Sequence, residues 1–325
     1  MSEAGYYLDS FLAPLAPIME RKDVTDIWIN QPGEIWVESL RGGIERLKEE
    51  SLDLKLLERL ARQIAAHSSQ GISRAQPLLA ATLPDGSRVQ IAGPPATRDG
   101  YAFAIRKHVS SNLSLSDWED ADAFSETEPS QADMEQKREF QALSGHEAAS
   151  FLLGAVKARR NILISGGTST GKTTFLNSLL AEIPDEERLV LIEDTAELHI
   201  KHENAVGLIA ARGELSEAMV SAEDLLIAAL RMRPDRIILG ELRGIEAFTF
   251  LRAVNTGHPG SMTTIHADTP QRAIEQLALL VLQAGSKLSR DDVRHYVRES
   301  VDVFVQLERR QGKRRVSKVL AATTS

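Results

Sequence analysis

Asn161-Ile-Leu-Ile-Ser-Gly-Gly-Thr-Ser-Thr-Gly-Lys-Thr-Thr174 is the stretch that decides how this chain folds. Four residues of strand-forming character end at Ser165, a glycine-rich loop follows, and Phe175 to Leu180 then take on helical spacing. The loop matches G-x-x-x-x-G-K-[ST] in full, and its strand–loop–helix setting turns backbone N–H groups and a helix dipole toward a bound phosphate. Gly166 and Gly171 permit close backbone approach, with Gly167, Thr168, Ser169, Thr170 and Thr174 completing the cradle. Lys172 supplies a compact charge to the β and γ phosphates, and the Thr173 hydroxyl suits Mg²⁺. The competing reading is a glycine-rich turn before an ordinary helix.

Working outward, the chain after residue 139 alternates apolar runs with helical patterns, which predicts a parallel sheet with crossover helices. Arg236-Ile-Ile-Leu-Gly-Glu241 is a second strand ending in a carboxylate, and Glu241 is the candidate to polarise an attacking water. Gly240 stands where many such proteins carry an Mg²⁺-binding Asp. Glu193 and Asp194 end a third strand on the side where open parallel sheets bind ligands, so this pair is positioned to hold Mg²⁺ through water. Ser221-Ala-Glu-Asp224 has capping-box spacing and opens a helix that ends in Arg231-Met-Arg233. His266 reads either as a satisfied strand-end histidine or as a γ-phosphate or interface sensor. Its spacing from His258 is not that of a zinc site. Thr269 and Pro270 cap the next helix, and Asp302-Val-Phe-Val-Gln306 is expected to close the sheet.

A length of 325 residues favours two globular units. Residues 1–108 read as an α+β unit: Asp26–Asn30 and Glu34–Glu38 alternate around a Pro-Gly turn, Leu52 to Ala66 is helical, and 87–91 and 101–105 are strands. No Lys or Arg lies between Lys107 and Lys137 while acids accumulate, so 109–138 is expected to be a linker or an acidic amphipathic helix. Residues 139–325 form the second unit. With no cysteine, thiolate zinc sites and thiol nucleophiles are excluded. The formal charge of −8 argues against a chain that coats nucleic acid over its whole surface. No membrane-spanning run or signal layout is visible, which predicts a cytoplasmic chain.

Four blocks in this order resemble the traffic ATPases of the secretion superfamily, which power type IV and type II secretion, conjugation and type IV pili. They are 166–174, Ile192-Glu-Asp-Thr-Ala-Glu197, 237–243 and Thr256-Gly-His-Pro-Gly-Ser-Met-Thr-Thr-Ile-His266, in family terms the Walker A, Asp, Walker B and His boxes. The run 230–243 is most similar to the type IV secretion and conjugation branch, and the lack of cysteine separates the chain from zinc-bearing pilus and type II motors. The resemblance implies a RecA-type α/β ATPase domain with a mostly parallel sheet behind a smaller α+β domain. It further implies ATP and Mg²⁺, a homohexameric ring, and a place at the inner face of the cytoplasmic membrane among other machine components. It carries Glu241, Lys172, Glu193 and His266 into catalysis, Thr173, Glu193 and Asp194 onto the metal, and Arg106 toward nucleotide from the N-terminal domain, so that ATP would close the two domains on each other.

A nucleic-acid motor, which shares this type of core, would use the basic residues Arg309, Arg310, Lys313, Arg314, Arg315 and Lys318, but this tail is short and lacks interleaved aromatics. The same tail suits anionic lipid or plain solvent, and no sequence-specific nucleic-acid binding is expected. The phosphate loop is also compatible with a small-molecule kinase, or with a scaffold that binds ATP without turnover.

Overall fold

In the computed structural model, which describes residues 3–40, 42–107, 139–211 and 217–322, two sheets are built one after the other along the chain. Helices α1 (Glu3–Leu12) and α2 (Ala16–Met19) lead into β1 (Val24–Ile29) and β2 (Glu34–Ser39), the hairpin expected around Gln31-Pro32-Gly33, with Trp28 opposite Trp36. β3 (Ile44–Lys48), α3 (Leu54–His67), β4 (Leu78–Thr82), β5 (Arg88–Ala92) and β6 (Ala102–Arg106) complete an antiparallel sheet of order β3-β2-β1-β6-β5-β4. Asp53 caps α3 by accepting from the Leu56 N–H at 2.7 Å. Leu57, Leu60 and Ile64 of that helix share a core with Ile27, Ile29, Phe103 and Ile105, each burial contributing about 1.5–3 kcal/mol. The acidic segment 109–138 lies outside the described residues.

The second sheet is assembled from β7 (Phe140–Leu143), α4 (Gly145–Lys157), β8 (Ile162–Gly166), α5 (Lys172–Leu180), β9 (Leu189–Glu193), β10 (Ala205–Ile209), α6 (Ala222–Leu230), β11 (Arg236–Leu242), α7 (Glu246–Asn255), β12 (Met262–Ile265), α8 (Pro270–Gln283), α9 (Arg290–Ser300), β13 (Val303–Arg310) and β14 (Lys313–Ala322). Its order is β10-β9-β11-β12-β8-β13-β14-β7, parallel from β10 to β13. Side chains alternate between its faces. Ile162, Ile164, Leu189, Leu191, Ile238 and Val305 pack against α4 and α5, while Leu163, Val190, Ile192, Ile237, Leu239 and Phe304 pack under α6 to α9. The mostly parallel α/β architecture behind a smaller antiparallel unit is the one expected from the sequence.

At β13 the sheet departs from the sequence expectation. β13 does not close the sheet, because the basic stretch after it is not a tail. Gln311 and Gly312 take positive φ of 50° and 78°, as a two-residue hairpin turn requires, and β14 returns antiparallel to pair with β13 and β7. Its run of exposed charge hides strand alternation from a hydropathy reading.

The two sheets meet at the same alternation that builds the first. Ile27 and Ile29 face their own core, whereas Trp28 and its cross-strand neighbour Ala104 join the core of the second unit. Arg188, fully buried, lays its guanidinium over the Trp28 ring at 4.6 Å and donates to the Met232 carbonyl at 3.1 Å and to Asn30 Oδ1 at 2.8 Å. Asn30 also donates to Asn204 at 3.0 Å. Burial pushes the Arg188 guanidinium down to about 9. Asn30→Ala strands one of its donors in the interior, and urea unfolding is expected to report a loss of about 1–3 kcal/mol.

Candidate active site

The loop 166–171 is shaped by two glycines with no substitute. A side chain at Gly166 would collide with the Thr170 hydroxyl and meet the Leu307 carbonyl at 3.1 Å. Gly171, with φ of 93°, ends the loop and starts α5. Ser169 also takes positive φ, 60°, so successive N–H groups converge on an anion-binding concavity. Thr170 pins the turn by donating to the Gly167 carbonyl at 2.8 Å, so the polar Thr168-Ser169-Thr170 sequence is compatible with the cradle. Lys172 is buried and turns its Nζ across the loop, 3.1 Å from the Gly166 carbonyl and 3.4 Å from each ring nitrogen of His266. Burial holds this ammonium below the ordinary lysine range against the opposing pull of Glu241, a bias that a polyphosphate would reverse.

Beside the loop, a cavity of about 100 Å³ is lined by Thr173, Glu193, Asp194, Gly240, Glu241 and Arg243, among others. The parallel register brings these together: β9 pairs with β11, β11 with β12 and β12 with β8, so four strand ends open on one edge. Glu241 Oε1 lies 3.0 Å from His266 Nε2, and Oε2 accepts from Arg243 Nε at 2.9 Å. Arg243 reaches on to Asp194 at 3.1 Å. Lys172, His266, Glu241, Arg243 and Asp194 therefore form one chain of polar contacts along the strand ends.

Residues 10–314 match the family model for type II/IV secretion system proteins. The chain belongs to this family. It is 39% identical to the type IV secretion system protein VirB11 of Bartonella quintana over 95% of this chain and 91% of the relative. It is also 39% identical to the type IV secretion system protein PtlH of Bordetella pertussis, over 94% and 91%. Among solved structures it is similar to the VirB11 ATPase of the Brucella suis type IV secretion system in complex with sulphate, at 33% identity and a TM-score of 0.87, covering 98% of this chain and 95% of that one. The expected membership in the secretion superfamily, and its type IV branch, is thereby established.

Within this secretion-family chain the sequence-selected residues divide into two groups. Lys172, Thr173, Asp194, Glu241 and His266 gather at the loop and its cavity. Glu193 also lines the cavity, but its Oε1 accepts from the Glu197 and Leu198 N–H groups at 3.0 and 2.7 Å, while Oε2 is ion-paired with Arg98. The carboxylate thus ties the strand end to the following turn and to the N-terminal unit. Arg106 is not brought to the loop of its own chain. It ends β6, where the register sets it opposite Asp26, and its Nε donates to that carboxylate at 3.0 Å. The N-terminal arginine that reaches the strand-end acids is Arg98: it pairs with Glu193, its backbone N–H bonds the Gly207 carbonyl and its NH1 bonds the Leu198 carbonyl.

Arg98 and Arg243 are the residues that reading the sequence missed. Arg243 follows the motif carboxylate by two positions, which is a usable signal, whereas nothing local marks Arg98. Gly240 also gains a reason: a side chain there would point at Glu193 Cγ, 3.4 Å away, so an Asp would set two carboxylates against each other. Arg233, just beyond the end of α6, pairs with Glu38 at 3.1 Å across the junction of the two units.

Proposed function

We propose that this chain is the Mg²⁺-dependent ATP-hydrolysing motor of a type IV secretion machine. The observation that carries the reading is the placement of Lys172, Glu241 and His266 around one phosphate-shaped loop, in a chain similar over nearly its whole length to type IV secretion proteins. ATP lies with its β and γ phosphates on the loop N–H groups, and Lys172 leaves the Gly166 carbonyl to neutralise them. Glu241 orients a water against the γ-phosphorus and takes its proton as the P–O bond to ADP breaks, which yields ADP and inorganic phosphate. His266, between Glu241 and Lys172, reads the presence of the γ-phosphate. Arg243 holds the Glu241 carboxylate toward the cavity.

The donor set fits Mg²⁺, a hard cation that takes one or two protein oxygens and completes its shell with water and phosphate. Thr173 and Asp194 would hold it, Glu193 acting through the water shell, and the ion would spread the charge that develops on the phosphate oxygens. Among the described residues no cluster of three or more acids and histidines offers a cage of its own, which suits a metal that arrives with nucleotide.

Work is delivered through the junction between the two units, where Arg98 joins the N-terminal sheet to Glu193. The assembly is a homohexamer docked peripherally on the cytoplasmic membrane against other machine components. Among the described residues no helix is long and apolar enough to cross a membrane. In the ring, Arg106 approaches nucleotide held by a neighbouring chain. Lys172→Ala is expected to weaken ATP binding roughly 10- to 100-fold, the worth of a charge-assisted phosphate contact, by equilibrium titration. Unchanged affinity in a folded sample removes the loop from the site.

A further inference from the structure

The basic residues read as a tail belong instead to a hairpin whose position is fixed by the strand that carries the phosphate loop. β13 runs parallel to β8, and their last register pair is Leu307 with Gly166, the first residue of the loop. β13 then continues for three residues to Arg310, about 10 Å at ~3.3 Å per residue, alongside the loop. The β13–β14 turn brings Arg314 back opposite Arg309. Its side chain lies on the loop itself: Arg314 Cδ is 2.9 Å and Nε 3.4 Å from where a Cβ on Gly171 would sit. The glycine that starts α5 is therefore also what admits the Arg314 stem. Among the described residues the Arg314 side chain has no hydrogen bond or ion pair, although the other cations touching the site, Lys172, Arg243 and Arg98, have protein partners.

The two flanks of β8 are chemically different. β12 lies on one side and β11 beyond it, carrying His266 and Glu241, the groups assigned to the γ-phosphate. The β13–β14 hairpin lies on the other side. An extended triphosphate whose terminal group meets His266 and Glu241 directs its nucleoside end toward the hairpin. We propose that Arg314 is a nucleotide-binding residue that holds the nucleoside end of the bound nucleotide, its planar guanidinium meeting the α-phosphate and the face of the base. The proposal rests on the ATPase reading of the loop, and it makes the hairpin a third wall of the site beside the loop and the acidic strand ends.

The test is equilibrium binding of ADP and of a non-hydrolysable ATP analogue to the purified full chain. Wild type is compared with Arg314→Ala, Arg314→Gln and, as a control on the same hairpin, Arg310→Ala. Arg314→Ala is expected to weaken both nucleotides to the same extent, roughly tenfold, because the lost contact is to the part they share. Arg310→Ala should stay within about twofold, a level set by unspecific charge alone. Arg314 is exposed, so folding is expected to survive, and the Gln variant repeats the reading with the stem length nearly kept. Unchanged affinity in Arg314→Ala, a loss confined to the triphosphate, or an equal loss in Arg310→Ala each overturns the assignment. If the wild-type chain binds neither nucleotide, or Lys172→Ala binds as well as wild type, the failure lies with the ATPase reading and not with Arg314.

Discussion

Glu241→Gln is expected to bind ATP with near wild-type affinity and to hydrolyse it about 10²–10⁴-fold more slowly, the range that a positioned general base contributes. The amide keeps the volume of the side chain and one oxygen to accept from Arg243, so the strand end should retain its shape. What it cannot do is take the proton from the attacking water. Glu241 is the right carboxylate to test because the other two acids at the strand ends are already engaged, Glu193 by Arg98 and two backbone N–H groups, Asp194 by Arg243. Glu241 is held too, but between His266 and an arginine that steers it into the cavity. Phosphate release and nucleotide titration on the same sample separate chemistry from binding. If turnover persists at the wild-type rate, Glu241 is not the base.

Arg236→Ala is expected to cost about 3–5 kcal/mol of folding stability, a large share of what a domain has. Arg236 opens β11 with no exposed surface, donates to both oxygens of Glu187 at 2.7 and 2.6 Å, and donates to the Val156 carbonyl at 2.7 Å. Truncation leaves Glu187 buried with only the half-exposed Arg159 at 3.1 Å. The pair also sets a pH dependence. Burial pushes the Glu187 carboxyl up, but the Arg236 guanidinium, helped by Arg159, outweighs it and holds the group below its ordinary 4.5. A depressed carboxylate stabilises the fold above its unfolded-state value, and that stability is lost as pH falls through the lower folded-state value. Thermal melts of wild type from neutral to acid pH should therefore drop below about pH 4.5, and the Arg236→Ala curve, lower at neutral pH, should fall less steeply. Equal melting temperatures at neutral pH exclude the bridge as a stabilising element.

How much of this was legible in the sequence depends on range. The phosphate loop, the three strand-end acids, the capping box at Ser221 and the Thr269 cap are local patterns, and each lies where its spacing implies. The hairpin at Trp28 and Trp36 was legible because a Pro-Gly turn separates two alternating runs. Contacts that depend on register were not. No local pattern announces that Arg106 faces Asp26, a pairing set by the register of β6 with β1, and Arg98 carries no motif because its partners lie about a hundred residues away. β14 is hidden for a different reason: four of its six exposed residues are basic, so the inward Val319 and Ala321 sit at the end of a charged run. The same residues, folded back as a strand, bring Arg314 onto Gly171.

Steady-state phosphate release by the purified full chain with ATP and Mg²⁺ reads out whether the chamber around Lys172 and Glu241 turns over ATP. Release is expected to be sustained over many turnovers in wild type and to fall to background in both Lys172→Ala and Glu241→Gln. Tight ATP binding with no release above background, or release that both variants retain in full, would contradict turnover at this chamber.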